Sequence, residues 1–215
     1  MTTFCVDIDQ TIATGSMGQD LAEGVQHYRT LGVAVPEQVQ NWSELLRLPA
    51  VLRRREPLPG ALEGVRRLAA VGDVVYVTTR APEAELITRG WLYKQGFPAP
   101  GRVLMCQSMT HKLQMVARYA GPLVLIDDGW RLALECWADL EEGMPALAAD
   151  LQRRLTVVAF GVSQAEMFDG PERLAVPVVT LPEWRDVDAI LLAHQGSIKK
   201  EPKDSSKSRC VGLAD

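Results

Sequence analysis

The segment 3–11, Thr-Phe-Cys-Val-Asp-Ile-Asp-Gln-Thr, leads an apolar strand directly into two carboxylates, Asp7 and Asp9, and the hydroxyl of Thr11. Because the two aspartates are two residues apart, an extended backbone projects both side chains to the same side. Two like charges this close repel, so ionising both is costly unless a cation lies between them or one of them keeps its proton. Taken alone, the spacing also fits a strand followed by an acidic turn.

Two further apolar runs end in polar side chains. The run at 74–77 ends in threonine hydroxyls, which suit a phosphate oxygen, and the run at 123–126 ends in paired carboxylates. Taken singly, the threonines also fit ordinary strand propensity and Lys112 fits a solvated helix lysine. In a parallel sheet, however, the ligand crevice lies beyond the carboxyl ends of the strands, so we expect one shared pocket. The residues predicted to join the aspartates there are Thr78, Thr79, Lys112, Asp127 and Asp128.

Phosphoryl transfer is the chemistry that these groups suit. It needs an in-line nucleophile and compensation for charge on the equatorial oxygens. If Asp7 forms an aspartyl-phosphate, one group must first donate and later accept a proton. Asp9 is the candidate for that role, since none of the three histidines (His27, His111, His194) follows a strand.

The acidic cluster predicts a Mg²⁺ site. Asp7, the backbone carbonyl of Asp9 and Asp127 are the predicted ligands, at about 2.1 Å in typical octahedral sites. Mg²⁺ would offset the repulsion between the nucleophile and a phosphate dianion. Lys112 and the Thr78 hydroxyl would complete the cradle, and Arg80 would either bind phosphate or open the next helix.

The order of these motifs resembles that of the haloacid dehalogenase-like phosphohydrolases over residues 3–192. An aspartate two residues after the nucleophile is typical of the phosphatases of this family. Gln10 stands where the family commonly has glycine, which places the difference in the substrate contacts of the loop. The implied roles are nucleophile (Asp7), general acid and base (Asp9), second-motif hydroxyl (Thr78), third-motif cation (Lys112) and fourth-motif Mg²⁺ ligands (Asp127, Asp128).

Four segments point to two different branches of the family. Segments 58–64 and 176–184 are similar to the 5'(3')-deoxyribonucleotidase-like branch, whereas 88–96 and Ile-Asp-Asp are similar to the phosphatase domain of polynucleotide kinase-phosphatases. A nucleic-acid 3'-phosphatase would need a basic groove with aromatic stacking platforms. Without the five basic and three acidic residues of 196–215, the chain carries 18 basic and 24 acidic residues, a net charge of −6. This charge favours a small phosphorylated substrate, with a metabolite phosphatase or a non-catalytic phosphate-binding protein as further alternatives.

The pattern of elements predicts an α/β fold, a doubly wound parallel sheet with a small helical cap inserted after the first strand. Strands are predicted at 4–8, 74–77, 103–105, 123–126, 155–160 and 176–181, and helices at 61–70, 84–95, 109–120 and 130–139. The core would comprise 1–14 and 60–195, and 196–215 would be a disordered tail. The segment 15–59 is too long for a plain connection between strands. It is predicted to form a cap with helices at 19–31, 36–46 and 50–54, which would exclude water from the crevice.

The cap is predicted to determine the substrate specificity. Side chains able to hydrogen-bond or stack on a leaving group are Gln19, His27, Arg29 and Trp42, although Trp42 also suits core packing. The run at 53–55, three arginines, could face a nucleotide phosphate, but we predict a solvated face.

Composition bounds the class of protein. Of the 215 residues 47% are hydrophobic, which is enough for a sizeable core. The net charge of −4 argues against a nucleic-acid-binding surface. Cys5, Cys106 and Cys136 have no metal spacing and are predicted to be buried thiols in a reducing compartment. No apolar run spans a membrane and the first strand starts within three residues, so we expect a cytoplasmic protein. The oligomeric state is left open.

Overall fold

The computed structural model describes residues 1–15, 17–36, 48–163 and 176–192, and of Met17 and Gln19 only the backbone. Several predictions concern parts of the chain outside the described residues. These are the cap helix beyond residue 36, Trp42, His194 and the tail at 196–215.

Six strands of the described chain form one parallel sheet in the order β3-β2-β1-β4-β5-β6. This order confirms the predicted doubly wound parallel sheet. Each predicted strand lies within two residues of an observed one, because apolar β-branched runs bounded by turns are strong strand signals. The strands are β1 (Thr3–Val6), β2 (Asp73–Thr78), β3 (Val103–Met105), β4 (Leu123–Asp127), β5 (Leu155–Phe160) and β6 (Val178–Leu181).

Helices connect these strands. In the described chain they are α1 (Met17–Thr30), α2 (Pro49–Arg54), α3 (Ala61–Ala69), α4 (Glu85–Lys94), α5 (Met109–Val116), α6 (Trp130–Gly143) and α7 (Pro145–Arg154). Two 3₁₀ turns add Pro82–Ala84 and Trp184–Asp186. The prediction missed α7, although its proline at the first helical position is a recognised start signal. No helix of the described chain is long and apolar enough to cross a membrane.

The sheet separates two apolar layers. Along β2, Val74 and Tyr76 pack in the layer that contains α3 and α4, whereas Val75 and Val77 pack in the layer that contains α5, α6 and α7. This alternation follows from the two-residue period of a strand. Both faces of the sheet are therefore covered, and its carboxyl edge remains as the place where polar side chains can meet.

Helices α1 and α2 belong to an insertion between β1 and α3. The two ends of the insertion run side by side: Ala13 and Pro57 form an antiparallel bridge, and the Thr14 N–H donates to the Glu56 carbonyl at 2.7 Å. The insertion therefore leaves and rejoins the core at one point, directly after the Asp7–Asp9 segment.

Candidate active site

Strand pairing places Asp7 beside Asp127. β1 and β4 are neighbours in register, with Val6 opposite Ile126, and the Asp7 N–H donates to the Ile126 carbonyl at 2.9 Å. Lys112 lies between them, its Nζ 2.7 Å from Asp7 Oδ1 and 2.7 Å from Asp127 Oδ2. All three side chains are buried. The predicted nucleophile, third-motif cation and first fourth-motif acid thus meet at the carboxyl edge of the sheet.

The start of α5 fixes the position of Lys112. Ser108 caps the helix, its hydroxyl accepting a hydrogen bond from the His111 N–H at 3.1 Å. A side-chain acceptor at this position satisfies one of the unpaired N–H groups of the first turn. Lys112 therefore enters the site from a capped, well-defined helix.

The pKa values follow from burial and charge. Burial alone would lower the pKa of Lys112, but the carboxylates of Asp7 and Asp127 outweigh it and raise that pKa. Burial raises the pKa of Asp7 well above its usual range; Lys112 opposes this rise, and Asp127, Asp9 and Asp128 add to it. Burial is the largest cause of this rise and the neighbouring carboxylates add to it, so a further positive charge at the cluster would favour the ionised form of Asp7.

Three carboxylates can supply the ligands of a metal ion. Oxygen atoms of Asp7, Asp127 and Asp128 all lie within 4.8 Å of one another. Asp127 is held in place by the Gly129 N–H, which donates to its Oδ1 at 2.8 Å. A set made only of carboxylate oxygens suits a hard divalent cation such as Mg²⁺.

Thr11 orients the second acid of this group. Its hydroxyl donates to Asp128 Oδ1 at 3.2 Å and accepts from the Asp128 N–H at 3.1 Å. Its carbonyl accepts a hydrogen bond from Trp184 Nε1 at 2.6 Å. Burial, with a contribution from Asp127, raises the pKa of Asp128 to about 6. Thr11 and Trp184 thus support the cluster. No local pattern predicts their contact, because 173 positions separate the two residues.

Asp9 has different partners from Asp7. Arg80 donates to both of its oxygens, from Nε at 2.8 Å and from Nη2 at 2.7 Å, and Nη1 of Arg80 donates to Thr88. A second guanidinium, that of Arg55, lies 3.0 Å from Asp9 Oδ1. Burial acts to raise the pKa of Asp9, but Arg80 and Arg55 outweigh it and lower that pKa. The repulsion expected between the two aspartates is thus relieved by separate cations.

Arg55 is the site residue that the sequence interpretation missed. The arginine run was predicted to be solvated; Arg53 and Arg54 are exposed as expected, but the prediction is wrong for Arg55, which is 4% exposed. No local pattern distinguishes it from its neighbours, because its partners lie far away in sequence. These partners are Asp9, the Thr14 carbonyl and Asp20.

The other predicted substrate contacts are placed as follows. Thr78 is buried at the end of β2, and its hydroxyl accepts from the Arg80 N–H at 3.2 Å. Thr79 and Gln10 are exposed, and Gln10 adopts a left-handed backbone with φ 61°. In the cap, His27 packs edge-on against Tyr28. Arg29 is exposed.

Solved structures share this architecture. A haloacid dehalogenase-like family hydrolase from Xanthomonas campestris matches with a TM-score of 0.54 and 14% identity, over 94% of this chain and 99% of that chain. A haloacid dehalogenase-like hydrolase from Burkholderia xenovorans matches with a TM-score of 0.51 and 20% identity, over 89% and 98%. A HAD family hydrolase from Deinococcus radiodurans, solved with bound phosphate and sodium, matches with a TM-score of 0.50 and 13% identity, over 90% of this chain and 95% of that chain.

These likenesses show that the chain has the haloacid dehalogenase-like fold. No protein-family model matches the sequence, and no curated protein matches it. The structure thus shows the fold, and the geometry of the site is the basis for a proposed activity.

Proposed function

We propose that this protein is a Mg²⁺-dependent phosphomonoesterase of the haloacid dehalogenase type that works through an aspartyl-phosphate on Asp7. The observation that carries the proposal is the buried Asp7 carboxylate, 2.7 Å from Lys112 and grouped with Asp127 and Asp128. A carboxylate in this setting has both a neutralising cation and an acidic cluster beside it. The phosphate found in the Deinococcus radiodurans hydrolase of the same fold is consistent with this assignment.

Asp7, Asp127 and Asp128 would hold Mg²⁺, together with the backbone carbonyl of Asp9. Bound there, the ion would supply the positive charge that lets a carboxylate approach a phosphate dianion. Lys112, 2.7 Å from both Asp7 and Asp127, neutralises part of the negative charge of the site. The Thr78 hydroxyl, buried at the strand end, is the proposed donor to a phosphoryl oxygen.

The reaction divides into two displacements. A carboxylate oxygen of Asp7 attacks phosphorus, the bond from phosphorus to the leaving oxygen breaks, and that oxygen takes a proton from Asp9. Water then attacks the phosphoryl group, Asp9 accepts a proton from it, and the bond to Asp7 breaks. Arg80 and Arg55 lower the pKa of Asp9, so its resting form is the carboxylate that the second displacement requires. For the first displacement Asp9 takes up a proton from water before it donates that proton to the leaving oxygen.

The proposed substrate is a small phosphorylated metabolite, with a nucleotidase-like preference. The net charge of −6 without the 196–215 segment supports a small molecule over a nucleic-acid end. The insertion at 15–59 is the proposed source of specificity, because the core residues account for phosphate and metal but not for a leaving group. The proposed location is the cytoplasm.

A hydrolysis screen tests this proposal. Wild-type protein is incubated with Mg²⁺ and a panel of phosphomonoesters that includes mononucleotides, sugar phosphates and p-nitrophenyl phosphate. Release of phosphate should disappear in Asp7→Asn, disappear with EDTA and return with added Mg²⁺. Asp139→Asn is the matched control, since Asp139 is an exposed aspartate of α6. A wild-type protein inactive on the whole panel, or an active Asp7→Asn protein, would contradict the proposal.

A further inference from the structure

Helix α1 packs against the rest of the protein through a polar contact, and its position on the core is called its seating below. Among the described side chains of α1, the buried positions are Asp20 and Gly24, four residues apart and therefore on one face of the helix. Helices that pack on a core normally bury an apolar stripe instead. The inward face of α1 thus presents a carboxylate, 2% exposed, where a core helix would present leucine or valine.

That carboxylate and the one at Asp9 bind the same guanidinium. Arg55 Nη2 donates to Asp20 Oδ2 at 2.6 Å, and Arg55 Nη1 lies 3.0 Å from Asp9 Oδ1. Nη1 also donates to the Thr14 carbonyl at 2.8 Å, at the point where the insertion leaves the core. The planar guanidinium holds its nitrogens in a fixed geometry. A displacement of Asp20 therefore pulls on the contact with Asp9.

The surroundings allow Arg55 little other freedom. Trp91 Nε1 donates to the Arg55 carbonyl at 2.7 Å and fixes the backbone. A Cβ atom at Gly15 would lie 2.1 Å from Arg55 Nη1, so the guanidinium occupies space that only a glycine leaves open. The Arg55 side chain is 2% exposed. It is therefore a rigid link, unlike Arg53 and Arg54, which are exposed.

We propose that Arg55 is a positioning residue that couples the seating of α1 to the orientation of the Asp9 carboxylate. When α1 is in place, Asp20 holds Arg55, and Arg55 with Arg80 fixes the direction of Asp9. When α1 leaves, Arg55 loses one of its two carboxylates and the grip on Asp9 loosens. The effect of this coupling on turnover rests on the proposed function, whereas the coupling itself does not.

Hydrogen exchange tests the coupling without any activity measurement. Because coupling between two sites is reciprocal, loss of the charge at Asp9 must loosen α1. We expect faster amide exchange in α1 of Asp9→Asn, while exchange in α6 stays as in the wild type. The control Asp139→Asn should change neither helix. Unchanged exchange in α1, or equal acceleration in α1 and α6, would overturn the proposal.

A double-variant cycle tests the consequence for turnover of p-nitrophenyl phosphate. Asp20→Asn should lower kcat by about 10- to 100-fold through a misplaced Asp9. In an Arg55→Met background the same substitution should cause no further loss, because its route to Asp9 is already broken. Arg54→Met, an exposed neighbour, is the control and should leave the rate unchanged. An equal loss in both backgrounds, or no loss in the wild-type background, would overturn the proposal.

If Arg55→Met does not fold, Arg55→Lys replaces it, since one ammonium group keeps the charge but cannot reproduce the planar fork. The cycle is then interpreted in the same way. If the wild-type protein hydrolyses none of the phosphomonoesters, the proposed function fails, and the exchange of α1 still decides whether Arg55 couples the two carboxylates.

Discussion

Replacing Lys112 by methionine isolates the charge balance of the site. The substitution keeps a long side chain but removes the ammonium group that lies 2.7 Å from Asp7 and 2.7 Å from Asp127. Both carboxylates remain buried. Breaking a buried ion pair by removal of one partner costs about 3–5 kcal/mol, because the other charge is left without compensation.

This loss is large on the scale of the whole protein. Domains of ordinary size have free energies of unfolding of about 5–15 kcal/mol. For a chain of this size the loss corresponds to a decrease in Tm of about 6–20 °C. The measurement is thermal unfolding followed by circular dichroism at pH 7.5 with EDTA. The control is Lys94→Met, the same substitution at an exposed lysine of α4.

The pH dependence of the loss has a definite sign. The pKa of Asp7 is raised in the folded protein, and removal of Lys112 takes away the main effect that opposes the rise. A raised carboxyl pKa means that the folded state holds a proton that the unfolded state releases, so folding becomes less favourable as the pH rises between the two values. The difference in Tm between Lys112→Met and wild type should therefore be smaller at pH 5 than at pH 8.

Added Mg²⁺ should partly replace the missing charge. The proposed site would bind Mg²⁺ only in the folded protein, so the added ion should raise the Tm of the wild type and should raise the Tm of Lys112→Met by more. If Lys112→Met had the same Tm as Lys94→Met, the ammonium group of Lys112 would not be what compensates the two buried carboxylates. A decrease in Tm of the same size at pH 5 and at pH 8 would show that the Asp7 carboxyl is not the source of the pH dependence.

Three further predictions follow from single contacts. Trp184→Phe leaves the buried Thr11 carbonyl without its donor and should lower the free energy of unfolding in urea by about 1–3 kcal/mol. The indole nitrogen of Trp130 has no hydrogen bond to Thr11, so a decrease no larger than that of Trp130→Phe would contradict this prediction. Mg²⁺ affinity, measured by calorimetry, should fall as the pH drops below the value of about 6 that burial gives the pKa of Asp128, since a ligand must be deprotonated; a constant affinity from pH 7 to pH 5 would contradict it. Gln10→Gly removes a left-handed non-glycine residue and should stabilise the protein by about 1 kcal/mol, a gain that Gln10→Ala should not reproduce.

The sequence was informative where local pattern decides structure. Apolar runs that end in Asp7, Thr78 and Asp127 predicted three strands and the edge at which their side chains gather. This succeeded because β-branched residues favour strands and because parallel strands share one carboxyl edge. The placement of Lys112 against two aspartates also agrees with the pocket predicted from those strand ends.

The sequence was silent where distant residues decide structure. Arg55 is indistinguishable from Arg54 in the sequence, yet its partners Asp20 and Asp9 lie 35 and 46 positions earlier, and only the folded insertion brings them together. Trp184 reaches Thr11 across 173 positions for the same reason. Helix α7 is a different case, since Pro145 and an Ala- and Leu-rich run did signal a helix there.

The central claim is that Asp7 carries the phosphoryl group, and trapping that group tests it most directly. Wild-type protein is mixed with p-nitrophenyl phosphate and Mg²⁺, quenched in acid during turnover, digested and analysed by mass spectrometry. The account predicts one added phosphoryl group on the peptide that contains Asp7, absent from Asp7→Asn and removed by hydroxylamine, which cleaves acyl phosphates. A protein that turns over substrate while the phosphoryl group is found on another residue would contradict it.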